Sequence, residues 1–217
     1  MNWYAQEEGA GYFKRDWVTM LNPMNKDDMS YRDQVVARVR AYDLAGSVPS
    51  EQYPNPDYSA GVLIARTKDG RYIIEDAVRW RKRSGETLDE IMRIAKEDKK
   101  LFGNVKLFLP QDPAQSGLTA KMYQAKVFAQ NGIPVKFIKV GTKNGKVKRF
   151  ENFSVAAENG LISVVRGLWN DVYFAELEGF DGVSRTKKDD LVDATSDTFN
   201  SLVTNKEYKK FNLSLLG

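Results

Sequence analysis

From residue 34 to residue 45 apolar and polar positions alternate as they do on a strand. Val35, Ala37, Val39, Ala41 and Asp43 fall on one face; Val36, Arg38, Arg40 and Tyr42 fall on the other. A loop over 46–59, with Pro49, Pro54 and Pro56, leads to two more strand patterns, Ala60–Arg66 and Tyr72–Trp80. Between these two, Lys68-Asp69-Gly70 is a tight hairpin signal. The first three strands therefore predict an antiparallel meander.

The period then changes. Ser84-Gly85-Glu86-Thr87 opens a helix whose Leu88, Ile91, Met92, Ala95 and Leu101 follow helical spacing, with Gly103 as its stop. A buried strand, Val105–Leu109, runs into Pro110-Gln111-Asp112-Pro113, and a helix over Leu118–Gln130 ends at Asn131-Gly132. A strand at Val135–Val140, a helix at Val147–Glu158 and a short strand at Leu161–Val165 follow. Helices over Trp169–Leu177 and Asp189–Val203 close the pattern. The fourth and fifth strands are each reached through a helix, so each should lie parallel to a neighbour. An antiparallel meander beside parallel βαβ strands, flanked by helices, is an α/β mixed sheet of the ribonuclease H-like kind. Residues 1–33 are aperiodic and read as an irregular arm, with a short helix expected near Lys14–Leu21. The compact domain is expected over 34–217.

Composition narrows the chemistry. Among 217 residues there is no cysteine and no histidine. Disulfides, thiolate or imidazole metal sites, cysteine nucleophiles and Ser-His-Asp catalysis are therefore excluded. An active site here must use carboxylates, Lys, Arg, Tyr, Ser or Thr, and a catalytic metal would sit on oxygen ligands, which favours Mg²⁺ or Mn²⁺. With 33 Lys and Arg against 29 Asp and Glu the net charge is +4, compatible with a polyanionic partner without requiring one. No leader pattern opens the chain, and no apolar run approaches the roughly 20 residues that span a bilayer. The expectation is a soluble protein, not secreted and without a membrane partner.

Three acidic positions stand out. Asp43 continues a core-facing row at the carboxyl end of a strand, where an ionised group is costly unless it is paired. A salt bridge to a nearby Arg, or a strand-end cap, is the plain alternative. Asp112 follows another strand's carboxyl end, the region where α/β sheets gather their sites; alternatively it forms a turn. Asp189, Asp190 and Asp193 open the last helix, and Asp190 and Asp193 share a face. Acids in a first turn also complement the helix dipole, and Asp189 reads most readily as a cap. Together these acids suit a hard-cation cage. Such a cage can hold two ions ~4 Å apart, one acting on water and one on the leaving oxygen of a phosphodiester.

Two basic stretches complement them. One runs from Lys139 to Arg149 and includes Lys143, Lys146 and Lys148; the other is Arg79-Trp80-Arg81-Lys82-Arg83. Either can neutralise phosphates or form an ordinary solvated surface. Gly141 to Val147 is not a P-loop: its spacing is one residue short, and Val147 stands where the magnesium-binding hydroxyl belongs.

These motifs, in this order, resemble the C-terminal nuclease domain of tailed-bacteriophage large terminase subunits, the genome-packaging motors. Gly11 to Trp17 resembles the segment joining that family's ATPase to its nuclease. Arg40-Ala41-Tyr42-Asp43-Leu44-Ala45 resembles its first strand with a metal-binding Asp, and Asp57-Tyr58-Ser59-Ala60-Gly61 the opening of its second. Leu109-Pro110-Gln111-Asp112-Pro113 and Lys188 to Ala194 resemble its second and third acidic motifs. The resemblance implies a metal-dependent endonuclease that cuts double-stranded DNA, with Asp43, Asp112 and Asp190 as principal ligands of two Mg²⁺ or Mn²⁺ ions. Asp193 and Asp189 stand behind Asp190. Arg149, with Lys143, Lys146, Lys148, Arg79 and Arg81, is expected on the DNA side. The resemblance also implies a portal protein and a small terminase subunit as partners, an ATPase upstream of the 1–33 arm, and the infected bacterial cytoplasm as location. No Walker A motif occurs in this chain, so the domain is expected to be excised or separately encoded, and monomeric alone. Two other readings remain at this stage. One is a ribonuclease H-like enzyme of another kind, such as a Holliday-junction resolvase. The other is a DNA-binding module without catalysis.

Overall fold

The computed structural model describes residues 11–23, 32–111, 115–139, 145–183 and 188–203. Asp112 and Lys143 lie outside the described residues. Seven strands form one sheet: β1 (Thr19–Leu21), β2 (Val35–Asp43), β3 (Ser59–Thr67), β4 (Tyr72–Trp80), β5 (Lys106–Gln111), β6 (Val135–Lys139) and β7 (Ile162–Val165). Their order across the sheet is β1-β7-β4-β3-β2-β5-β6. β2, β3 and β4 form the expected antiparallel meander, while β5 lies parallel to β2 and β6 parallel to β5. β7 joins parallel to β4 on the other side. This mixed sheet with helices on both faces is the ribonuclease H-like fold.

Among the described residues five α-helices cover it: α1 (Ser84–Phe102), α2 (Gln115–Gln130), α3 (Lys146–Glu158), α4 (Asn170–Gly179) and α5 (Asp190–Val203). Alternation along β2 decides which helices meet which side chains. Tyr42 packs with Ile91, Ala95, Leu107, Leu109 and Phe128 beneath α1 and α2. Val39 and Ala41 pack with Phe150, Phe153, Leu191, Ala194 and Phe199 beneath α3 and α5. Both faces are thus buried, as expected for a central strand with parallel neighbours. The Tyr42 ring lies directly on Gly61 of β3, where any Cβ would stand 2.2 Å from the ring. α1 ends as its sequence predicts: Gly103 turns at φ +76°, and its N–H donates to Lys99 O at 2.9 Å.

The amino-terminal segment departs from expectation. Instead of a helix near Lys14–Leu21 there is one 3₁₀ turn, Arg15–Trp17, followed by β1, which pairs parallel with β7. The free edge of β7 decides this, because it offers backbone partners that an isolated helical turn lacks; Arg166 N–H, for example, donates to Leu21 O at 2.8 Å. Phe13, 3% exposed, stacks on Phe153 and Phe174 within the main core. Arg15 pairs with Glu178 of α4 at 2.7 Å.

Candidate metal and nucleic-acid site

Asp43 is the last residue of β2 and lies on the row of Val39 and Ala41, the row that faces α5. α5 is fixed across β2 and β3 by Thr198. Its hydroxyl accepts the Ala41 N–H at 3.2 Å and lies 3.1 Å from the Val62 carbonyl. With Thr198 held there, the amino-terminal turns of α5 project past the carboxyl end of β2. Asp190, Asp193 and Asp197 recur at spacings of three and four, so they form one stripe. The result is an open cleft of about 330 Å³ lined by Asp43, Tyr53, Asp57, Asp189, Asp190, Asp193 and Lys146.

The cleft concentrates negative charge where water is scarce. Burial pushes the Asp43 carboxyl up to about 7; Asp193, Asp190 and Asp197 reinforce the rise and Lys146 opposes it. Asp190 is 4% exposed, and burial, with Asp57 and Asp189, raises it to about 6 against the Tyr58 backbone N–H bond. Its Oδ2 is buried and meets no hydrogen-bond donor among the described residues. Burial raises Asp197 to about 6 as well, and raises Asp193.

The remaining acids are compensated. Lys146, on the first turn of α3, reaches Asp189 at 2.5 Å and Asp193 at 2.6 Å. Arg149, one turn on, reaches Asp193 at 3.1 Å and Asp197 at 3.8 Å. Asp57 pairs with Lys188 at 2.7 Å. Burial disfavours the Lys146 ammonium, but Asp193 and Asp189 outweigh it and raise its pKa.

The sequence-predicted acids Asp43, Asp189, Asp190 and Asp193 thus share one cleft. β5, which leads to residue 112, runs parallel beside β2, with Ala41 opposite Phe108. Of the predicted basic residues, Lys146 and Arg149 face the acidic stripe, and Lys148 is exposed. Arg79 and Arg81 flank the Tyr58 ring at 4.4 and 3.9 Å, just before β3. Two further acids belong here. Asp197 was readable as the next step of the α5 stripe. Glu176 of α4 was not: it is buried, accepts the Leu191 N–H at 2.5 Å and pairs with Arg79 at 3.0 Å. It caps the first turn of α5 from a separate helix, and burial lifts it to about 7.

Oxygen-only donors suit a hard divalent cation. Two features of the cleft fit one: the Asp190 Oδ2, which meets no donor among the described residues, and Asp43, which has no ion-pair partner among them. Among the described residues no three acidic groups converge on a ready-made cage.

Fold and cleft together define a ribonuclease H-like domain with an acidic site at the carboxyl edge of its sheet. Residues 40–202 match the family described as the terminase RNaseH-like domain, and the chain belongs to that family. Solved structures agree in fold. The large terminase nuclease domain of Thermus phage P74-26 is 14% identical, with a TM-score of 0.56 over 88% of this chain and 92% of that one. The large terminase nuclease of thermophilic phage G20c with bound magnesium is 15% identical, with a TM-score of 0.53 over 90% and 98%. No curated protein sequence matches the chain.

Proposed function

We propose that this domain is a divalent-metal-dependent endonuclease that cleaves double-stranded DNA during viral genome packaging. One observation carries the reading: two carboxylates, the buried Asp190 and the half-buried Asp43, share an open cleft, and among the described residues no cation pairs with either of them. Leaving such charges uncompensated is costly unless a ligand with positive charge completes the site. Asp43 and Asp190 would hold Mg²⁺ or Mn²⁺, with Asp193, Asp189 and Asp112 as further ligands. The G20c nuclease, seen with magnesium, zinc and cobalt, supports a divalent ion here. When bound, the metal supplies Lewis-acid activation of water and charge neutralisation at the scissile phosphate.

The chain's own residues do the rest. Asp43 and Asp190 are positioned by the strand end and by the helix that Glu176 and Thr198 fix, so little reorganisation is left for the reaction. Arg81 and Lys148 would neutralise flanking phosphates, as would Lys143, and Arg79 would do so only by leaving Glu176. Lys146 and Arg149 reach DNA only by leaving their acids. Family membership extends the proposal to a packaging motor in the host cytoplasm, with an ATPase, a portal and a small terminase subunit as partners. Among the described residues no helix is long and apolar enough to cross a membrane.

The test is cleavage of supercoiled plasmid with Mn²⁺, Mg²⁺ or EDTA by wild type and Asp43→Asn. Nicking and linearisation with metal, absent in EDTA and in a normally folded Asp43→Asn, are expected. A folded Asp43→Asn that cuts as well as wild type would remove Asp43 from the mechanism. Strong preference for a four-way junction or an RNA–DNA hybrid would replace the substrate.

A further inference from the structure

The acids of the cleft divide into two sets. Among the described residues Asp43 and Asp190 touch no cation, and the Asp190 Oδ2 has no hydrogen-bond partner. Asp189 and Asp193 share the Lys146 ammonium, and Asp193 also holds Arg149. A Mg²⁺ ion on Asp189 and Asp193 would need their oxygens at about 2.1 Å. Lys146 Nζ already stands 2.5 and 2.6 Å from one oxygen of each. Ammonium and ion cannot occupy that point together.

We propose that Lys146 is a resident cation of the cleft: it fills the Asp189/Asp193 half, so that without DNA the domain takes up one divalent ion at Asp43 and Asp190, and a second only by displacing the ammonium. This rests on the metal-nuclease reading of the same cleft. Lysine suits the role better than arginine. Its ammonium is a compact point charge on a flexible stem that swings away by rotamer changes, whereas a guanidinium is a planar fork that locks onto a carboxylate. Arg149, one turn further along α3, shows the contrast: it spans Asp193 and Asp197, while among the described residues Asp189 is met by Lys146. The arrangement also fits the charge balance. Asp189, Asp193 and Asp197 are paired with two cations, while Asp43 and Asp190 have no ion-pair partner among the described residues. The first ion therefore gains most at Asp43 and Asp190.

The experiment counts bound Mn²⁺ on the DNA-free protein by the electron paramagnetic resonance signal of the free ion. Wild type, Lys146→Met, Lys146→Arg and Asp43→Asn are compared, with thermal melting in parallel. Wild type is expected to bind one ion tightly and a second at least about tenfold more weakly. Lys146→Met is expected to bind two ions of similar affinity, and to melt lower than wild type in EDTA but not in Mn²⁺. Lys146→Arg should keep the wild-type count. Two ions of similar affinity in wild type overturn the inference without any variant. Equal counts and affinities in wild type and Lys146→Met overturn it while leaving the metal site standing. No Mn²⁺ uptake by wild type overturns both the inference and the nuclease reading.

Discussion

β2 carries buried charge on both of its faces, and the two faces treat it in opposite ways. Beneath α1, Arg40 is 1% exposed and donates to Asp98 at 2.6 and 2.9 Å and to Asp76 at 2.8 Å. Arg38, two residues earlier, holds Glu75 in the same manner at 2.8–3.1 Å. Beneath α5, Asp43 ends the same strand with no ion-pair partner among the described residues; burial, reinforced by three further acids, pushes its pKa up to about 7. Arg38 and Arg40 are each held by carboxylates through several hydrogen bonds, with only the Arg40 Nη1 lacking a partner among the described residues, and burying them helps specify how α1 seats on the sheet. The second face keeps its acids short of partners, and the fold must supply the energy that holds them there. The first face reads as architecture, and the second is the face on which the proposed metal site lies.

The contrast predicts opposite responses to removing a carboxylate. Asp98→Ala strands a buried guanidinium, and breaking a buried pair in this way costs about 3–5 kcal/mol. Urea denaturation should show this as a lower midpoint at unchanged slope. Asp43→Asn should move the other way in EDTA at pH 7.5, gaining roughly 1–2 kcal/mol because it removes a charge that the fold disfavours. Equal destabilisation by the two substitutions would erase the distinction between the faces.

Most of the fold was legible because β2, β3, β4 and α1 obey a strict period and end on turn residues. Asp43 was legible for the same reason: a charge on an apolar row contradicts its own pattern, which sites often do. β1 was not, since Thr19-Met20-Leu21 is too short to show a period and exists only because β7 offers an edge. Glu176 was hidden differently. One acid in a short helix reads as solvent-facing, and only the arrival of Arg79 and the α5 terminus buries it. Lys146 shows a third kind of failure. In sequence it belongs to a basic run that suggests DNA, while in space it meets acids more than 40 residues further along the chain. Charge runs report composition, and the partner of each charge is a tertiary property.

The smallest effect is also the most diagnostic, because its sign is fixed by the direction of the shifts. Asp43 and Glu176 sit at about 7, Asp190 and Asp197 at about 6, all above the ordinary value near 4 for an unfolded chain. Between those limits the native state binds more protons than the unfolded state, so stability must fall as pH rises through the window and level off above about 7. The interacting acids of the cleft titrate as a set, so the decline should be broad. The exposed pairs work against this only at lower pH. Glu90, held down to about 2 by Arg93 and Lys82, contributes stability that is lost as pH falls below about 4. Thermal melting in EDTA should therefore give a higher midpoint at pH 5.5 than at pH 7.5, by a few degrees. Asp43→Asn should flatten the slope. Mn²⁺ should reverse it, since a divalent ion binds only the ionised carboxylates and its stabilisation grows as they lose their protons. A metal-free midpoint that rises from pH 5.5 to 7.5 would mean that the acids beneath α5 are compensated after all, and the two faces of β2 would then be alike.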